Sequence, residues 1–123
     1  MRKFVINYWK TILCSLCILA LSMAPFSGNR FETIPYTDKL VHAIMYAILT
    51  FILLYDYSKY RTVKTIRPYK TLIILPILYG GLMEIMQGLL TTTRSADMFD
   101  FLANSIGVFI GLIISYTFYY ARR

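Results

Sequence analysis

The chain has 123 residues, of which 58% are apolar, and a formal net charge of +7. A soluble domain of this size needs far more polar surface, so the composition describes one small integral-membrane domain rather than a globular enzyme. The basic residues lie between apolar stretches and form no aromatic-interleaved patch. Nucleic acid is therefore excluded as the partner, and membrane topology accounts for the charge.

A bilayer core needs about 20 mostly apolar residues per helix, and four stretches qualify. The first runs from about Phe4 to Ala24, with Lys10 able to reach the near interface. It contains Cys14 and Cys17 as Cys-x-x-Cys, flanked by leucine and isoleucine. A redox pair needs an exposed, electropositive setting, and no second cysteine pair or nearby histidine completes a zinc site. The two cysteines read as small apolar side chains on a helix. The stretch also has the basic start and apolar middle of a signal peptide, but cleavage after Ala24 would put Pro25 next in line. An uncleaved anchor is expected.

Pro25 and Pro35 bracket the first loop, and Thr37 has the character of an N-cap. The second span follows from about Asp38 to Tyr57. Within it Asp38, His42, Tyr46 and Thr50 recur every four residues, making one slowly drifting stripe on a helix. His42 falls about 6 Å along the axis from Asp38.

The third span runs from about Leu72 to Leu90. Pro76 predicts a kink or a late helix start there. Gly80, Glu84 and Gly88 share a face, with Gln87 on its edge, and Glu84 falls about 9 Å before the helix end. A short loop carrying Arg94 leads to the last span, from about Asp97 to Tyr120. Its stripe comprises Asp97, Asp100, Asn104, Gly107, Gly111 and Ser115, while Phe101, Ile106, Phe109, Ile110 and Ile113 fall elsewhere, suited to lipid. Small residues on such a stripe permit close helix approach, and polar ones can bond across helices. Gly80, Gly107 and Gly111 are accordingly assigned to helix packing.

The fold predicted is an all-α bundle of four transmembrane helices forming a single domain over residues 1–123. Ten lysines and arginines fall on one side of it: Arg2, Lys3, Lys10, Lys59, Arg61, Lys64, Arg67, Lys70, Arg122 and Arg123. Arg30, Lys39 and Arg94 fall on the other. Basic residues in short loops favour the cytoplasm, so both termini are predicted to be cytoplasmic. Tyr8, Trp9, Tyr55, Tyr57, Tyr116, Tyr119 and Tyr120 then form an aromatic belt at the inner interface.

With that orientation, the polar ends of three helices meet in the outer leaflet. Ionisable groups inside hydrocarbon are costly, and they mark functional sites by default. The residues expected to line a ligand site are Asp38, His42, Tyr46, Glu84, Gln87, Arg94, Asp100 and Asn104. Each also has a purely structural reading. Asp97 and Asp100 suit the positive end of a helix dipole, and His42 could be a satisfied packing residue. Glu84 has no sequence-local cation, so it requires a partner from another segment, with His42 and Arg94 as candidates.

The ordered set Asp38-Lys39-x-x-His42 with Tyr46, Gly80-x-x-x-Glu84-x-x-Gln87, Arg94-Ser95 and Asp100-x-x-x-Asn104-x-x-Gly107-x-x-x-Gly111 resembles the VanZ-like family. The resemblance spans roughly Pro35 to Gly111; the first span fits by position and hydrophobicity. It implies a small, multi-pass helical protein of the bacterial cytoplasmic (inner) membrane. The family's founding member is linked to resistance against teicoplanin, a lipid-tailed glycopeptide, without alteration of the cell-wall peptide terminus. The family supplies no agreed catalytic mechanism that transfers to these positions.

Three functions follow from these residues. The first is a non-enzymatic envelope protein whose outward pocket binds a lipid head group or another amphiphile, either a membrane lipid or a lipid-linked envelope ligand. The second is a membrane-embedded enzyme on a lipid-linked or cell-wall substrate, with His42, Glu84 and Asp100 as its acid–base groups. A metal version would need His42 with two or three carboxylates and is only weakly signalled, so no metal and no cofactor is predicted. The third is a transporter, which requires a polar path continuing into the cytoplasmic half. That half offers Thr50, Ser115 and Thr117, and no buried charge is expected in it. A homo-oligomer is compatible with the sequence.

Overall fold

The structure, a computed structural model, describes residues 1–23, 37–60, 69–90 and 98–120. All elements among the described residues are helices: α1 (Arg2–Asn7), α2 (Trp9–Met23), α3 (Thr37–Tyr60), α4 (Tyr69–Leu90) and α5 (Met98–Tyr120). Three helices are long and apolar enough to cross a membrane, over 39–59, 70–90 and 98–118, while α2 is a shorter apolar helix. At 1.5 Å per residue, each long segment reaches about 30 Å, the thickness of a hydrocarbon core.

The first predicted span is broken in two, and the sequence offers no proline or glycine to explain it. The cause is Asp56, which reaches across from α3. Its Oδ2 accepts hydrogen bonds from the Thr11 backbone N–H at 3.1 Å and from Thr11 Oγ1 at 2.9 Å. In a continuous helix that N–H would bond to the Asn7 carbonyl. The ladder resumes one residue later, where Ile12 N–H donates to the Tyr8 carbonyl at 2.9 Å. A side chain inserted into the i→i−4 ladder is a recognised origin of a helix break. It also satisfies a donor at the start of α2.

Pro76 lies inside α4. It neither delays nor ends the helix, which starts at Tyr69, three residues before the expected beginning.

Lipid tails are as apolar as leucine, so helices in a membrane are held by close packing and polar bonds rather than by hydrophobic exclusion. The parallel pair α3 and α5 shows both. A Cβ built on Gly107 would lie 2.9 Å from the Ala43 Cα and carbonyl carbon and would clash with the Ala43 oxygen. One built on Gly111 would lie 2.5 Å from the Ala47 oxygen. Two small residues four apart on each helix thus bring the backbones together.

Around this seam, Ile18, Tyr46, Leu49 and Val108 form one buried cluster, supported by Cys14, Ile73, Ile77 and Tyr79. Leu53, Leu54 and Leu72 form a second, with Tyr8, Tyr57 and Leu112 packed against it. Helix α4 is tied to α2 by Tyr79 Oη, which donates to the Ser15 carbonyl at 2.6 Å. Leu78, Leu82, Ile106, Phe109, Ile110 and Ile113 point outward, as a lipid-facing surface requires. Phe101 does not join them: it is half-buried and its ring covers Gly81. The thiols of Cys14 and Cys17 are free, the first half-buried and the second exposed.

At the end where α3 finishes, Trp9, Tyr55 and Tyr116 are exposed. The Lys10 ammonium lies 4.6 Å from the centre of the Tyr55 ring and 5.7 Å from that of Trp9. Such a cation–aromatic group suits an interface, where one side of each ring is apolar and the other wet.

Candidate functional site

At the opposite end, the start of α3, the last turns of α4 and the start of α5 carry ionisable and amide side chains inward. Each position follows from helical spacing. His42 lies one turn into α3, Glu84 and Gln87 in the last two turns of α4, and Asp100 and Asn104 one turn apart on α5. The four that meet are His42, Glu84, Asp100 and Asn104, exposed by only 4%, 5%, 6% and 1%.

His42 sits at the centre. Its Nδ1 is 3.0 Å from Asn104 Oδ1. An amide oxygen only accepts, so with this amide assignment Nδ1 carries a hydrogen. Glu84 Oε1 is 3.9 Å from Nδ1, and Asp100 Oδ2 is 3.9 Å from Nε2. Both separations exceed hydrogen-bond length. At the rim, Lys39 Nζ stands 3.6 Å from Asp100 Oδ1, with the lysine side chain about a third exposed. One histidine is therefore flanked by two carboxylates and an amide from two other helices, beside a cation that reaches the surface.

Tyr46 lies one turn further along α3, 1% exposed, its ring tilted against Tyr79 at 6.4 Å. Its hydroxyl and Asn104 Nδ2 are buried with no hydrogen-bond partner among the described residues. The two side chains meet over Gly80, where an added Cβ would lie 3.1 Å from Asn104 Nδ2 and 3.2 Å from Tyr46 Cε1. Gly80 thus provides the space in which they lie. Gln87 is buried and its Nε2 donates to the Ser22 carbonyl at 3.0 Å, linking α4 to the end of α2. Arg94 and Asp97 fall outside the described residues, as does the side chain of Asp38.

Two participants lie outside the expected ligand-site residues. Lys39, part of the Asp38-Lys39-x-x-His42 motif and of the charge count, stands one turn before His42 at the rim of the cluster. Asp56 corrects the expectation that the far half holds no buried charge, being 2% exposed. The signal was present: Asp56 is 14 residues beyond His42, close to four helical turns, and so lies on the same stripe. It does not extend the His42 cluster into a relay. The two centres are about 20 Å apart along α3. Between them, Thr50 Oγ1 bonds to the Tyr46 carbonyl at 2.8 Å, within its own helix. Ser115 Oγ likewise bonds to the Gly111 carbonyl at 2.7 Å. Leu49, Leu53 and Leu54 fill the interval.

These features define a helical, membrane-spanning protein with a buried histidine–carboxylate–amide centre near one end of its bundle. The family model described as VanZ/LLP1 matches residues 4–119, nearly the whole length. The chain belongs to that family. No curated protein and no solved structure matches it.

Proposed function

We propose that the chain is an envelope protein of the bacterial cytoplasmic membrane, both termini cytoplasmic, whose His42 end faces outward and binds the polar head group of an amphiphile. The ligand class is an outer-leaflet lipid or a lipid-linked cell-wall precursor. The observation carrying this reading is the joining of His42, Glu84, Asp100 and Asn104 from three helices at one end of a membrane bundle. The excess of basic residues at the other end supports the orientation. Lys39 supplies a cation at the rim, and Arg94 a second one in the adjoining loop, for an anionic head group. The carboxylates and the Asn104 amide orient hydroxyl and amine groups. Occupying or altering the outer leaflet in this way hinders anchoring of a lipid-tailed drug, which links the site to teicoplanin resistance.

The test is purification with native lipid followed by native mass spectrometry. Wild type retains a defined amphiphile, and both Glu84→Gln and Arg94→Ala lose it. If every co-purifying species is unchanged in both variants, the binding reading fails.

A second reading, favoured by the placement of His42 between two carboxylates, is an acid–base enzyme acting on the same amphiphile. Under it, His42→Ala at normal abundance abolishes whatever teicoplanin resistance the wild type confers, while the retained amphiphile stays bound.

A further inference from the structure

The chain contains no contiguous metal-binding motif, and the grouping arises only in three dimensions. We propose that His42, Glu84 and Asp100 hold one divalent transition-metal ion within the membrane, through one imidazole nitrogen and two carboxylate oxygens. Each of the three residues offers a ligand atom, and these atoms all lie within 4.8 Å of one another. All three side chains are buried, and each comes from a different helix. Ligands bound at about 2.0–2.2 Å around a tetrahedral ion stand roughly 3.3–3.6 Å apart. With Nε2 as the imidazole donor, Asp100 Oδ2 at 3.9 Å needs an inward shift of about half an ångström, and a pair at the 4.8 Å limit of the set needs about 1.2–1.5 Å, within the reach of side-chain torsions.

The surroundings of His42 support the assignment independently. A metal-ligating histidine usually donates its second ring N–H to an oxygen acceptor, which selects the tautomer and holds the ring plane. Asn104 Oδ1, 3.0 Å from Nδ1, is such an acceptor and leaves the Nε2 lone pair toward Asp100. Tyr46, one turn away on the same face of α3, adds a buried hydroxyl that has no hydrogen-bond partner among the described residues. A dication also offsets two carboxylates brought together in a low-dielectric setting.

The donor set selects the class of metal. Calcium and magnesium favour all-oxygen shells, whereas an imidazole with carboxylates suits zinc, manganese or ferrous iron. Three protein ligands leave at least one position for water or for an oxygen of the bound head group. The inference thus deepens the head-group reading, since it concerns the same centre.

The full-length protein, purified in mild detergent with any affinity tag removed, is stripped with a chelator. It is then equilibrated with a small excess of Zn2+, desalted and measured by inductively coupled plasma mass spectrometry. Wild type retains about one zinc per chain, as a single three-ligand site requires. Glu84→Gln, Asp100→Asn and His42→Ala, each checked for helical content and monodispersity, retain less than about a tenth of that. Asn104→Ala weakens zinc affinity roughly 10- to 100-fold, as loss of a ring-orienting partner does. Co2+ in place of zinc gives wild type a visible ligand-field spectrum that the three ligand variants lack. Ile106→Ala, outward-facing and outside the ligand set, loads as wild type does. The proposal is overturned if stripped wild type retains no zinc, or if folded Glu84→Gln and Asp100→Asn retain as much as wild type. Metal content is read without added amphiphile, so its failure is distinct from a failure of the lipid measurement.

Discussion

Replacing Gly107 with alanine tests how the α3–α5 seam controls the site. The new Cβ would lie 2.9 Å from the Ala43 Cα and carbonyl carbon. Comfortable carbon–carbon separations are about 3.5–4.0 Å, so the helices must part by roughly 0.6–1.1 Å. The neighbour is backbone and has no rotamer with which to yield. His42 directly precedes Ala43 and Asn104 lies about one turn before Gly107, so their 3.0 Å bond then stretches beyond hydrogen-bond length. Overpacking costs about 1–3 kcal/mol, and losing a membrane hydrogen bond costs about 0.6–1.7 kcal/mol. The sum is about 1.6–4.7 kcal/mol, or roughly 15- to 2,500-fold in the folding equilibrium.

The assay is equilibrium unfolding by increasing SDS mole fraction in mixed micelles, followed by circular dichroism. Ile106→Ala is the control, because Ile106 neighbours Gly107 in sequence and faces outward at 58% exposure. It is expected to change stability by less than about 0.5 kcal/mol. A Gly107→Ala protein that unfolds with wild-type stability would refute the reasoning, since the seam would then have room for a side chain.

The remaining predictions concern the break after α1, the direction of the bundle and the two properties assigned to its polar end. Asp56→Ala removes the acceptor for Thr11 and destabilises the protein by about 1–3 kcal/mol, whereas Asp56→Asn, which retains an acceptor oxygen, costs less. Hydrogen exchange at the Thr11 amide separates them: equal protection in both variants would show that Asp56 does not hold that N–H. Cysteine-accessibility labelling in intact cells, on a background lacking Cys14 and Cys17, should leave a cysteine at position 123 shielded and one at position 93 reactive. The reverse pattern would invert the proposed orientation. Loss of amphiphile in Glu84→Gln and Arg94→Ala, and loss of zinc in the His42, Glu84 and Asp100 variants, complete the set.

The apolar stretches, the charge imbalance and the inward stripes on α3, α4 and α5 were legible because each depends on helical period and bilayer thickness, both local quantities. Asp100 and Asn104 share a face from their spacing alone, and so do Gly107 and Gly111. Spacing cannot say which faces meet. The approach of His42 to Asn104, 62 residues apart, depends on Ala43 and Ala47 opposing the two glycines across parallel helices. Gln87 had a place on a helix edge, but its bond to the Ser22 carbonyl required α2 to end beside it.

The break at Tyr8 shows the same division. Nothing within residues 2–23 predicts it, because its cause is a carboxylate 45 residues away. What the amino-acid order determined by itself was the long apolar helices and the face that each polar stripe shares, since those follow from backbone geometry and transfer energy. Only tertiary packing decided which polar groups became neighbours, because in a membrane that choice rests on backbone approach and interhelical bonds between segments distant in the chain.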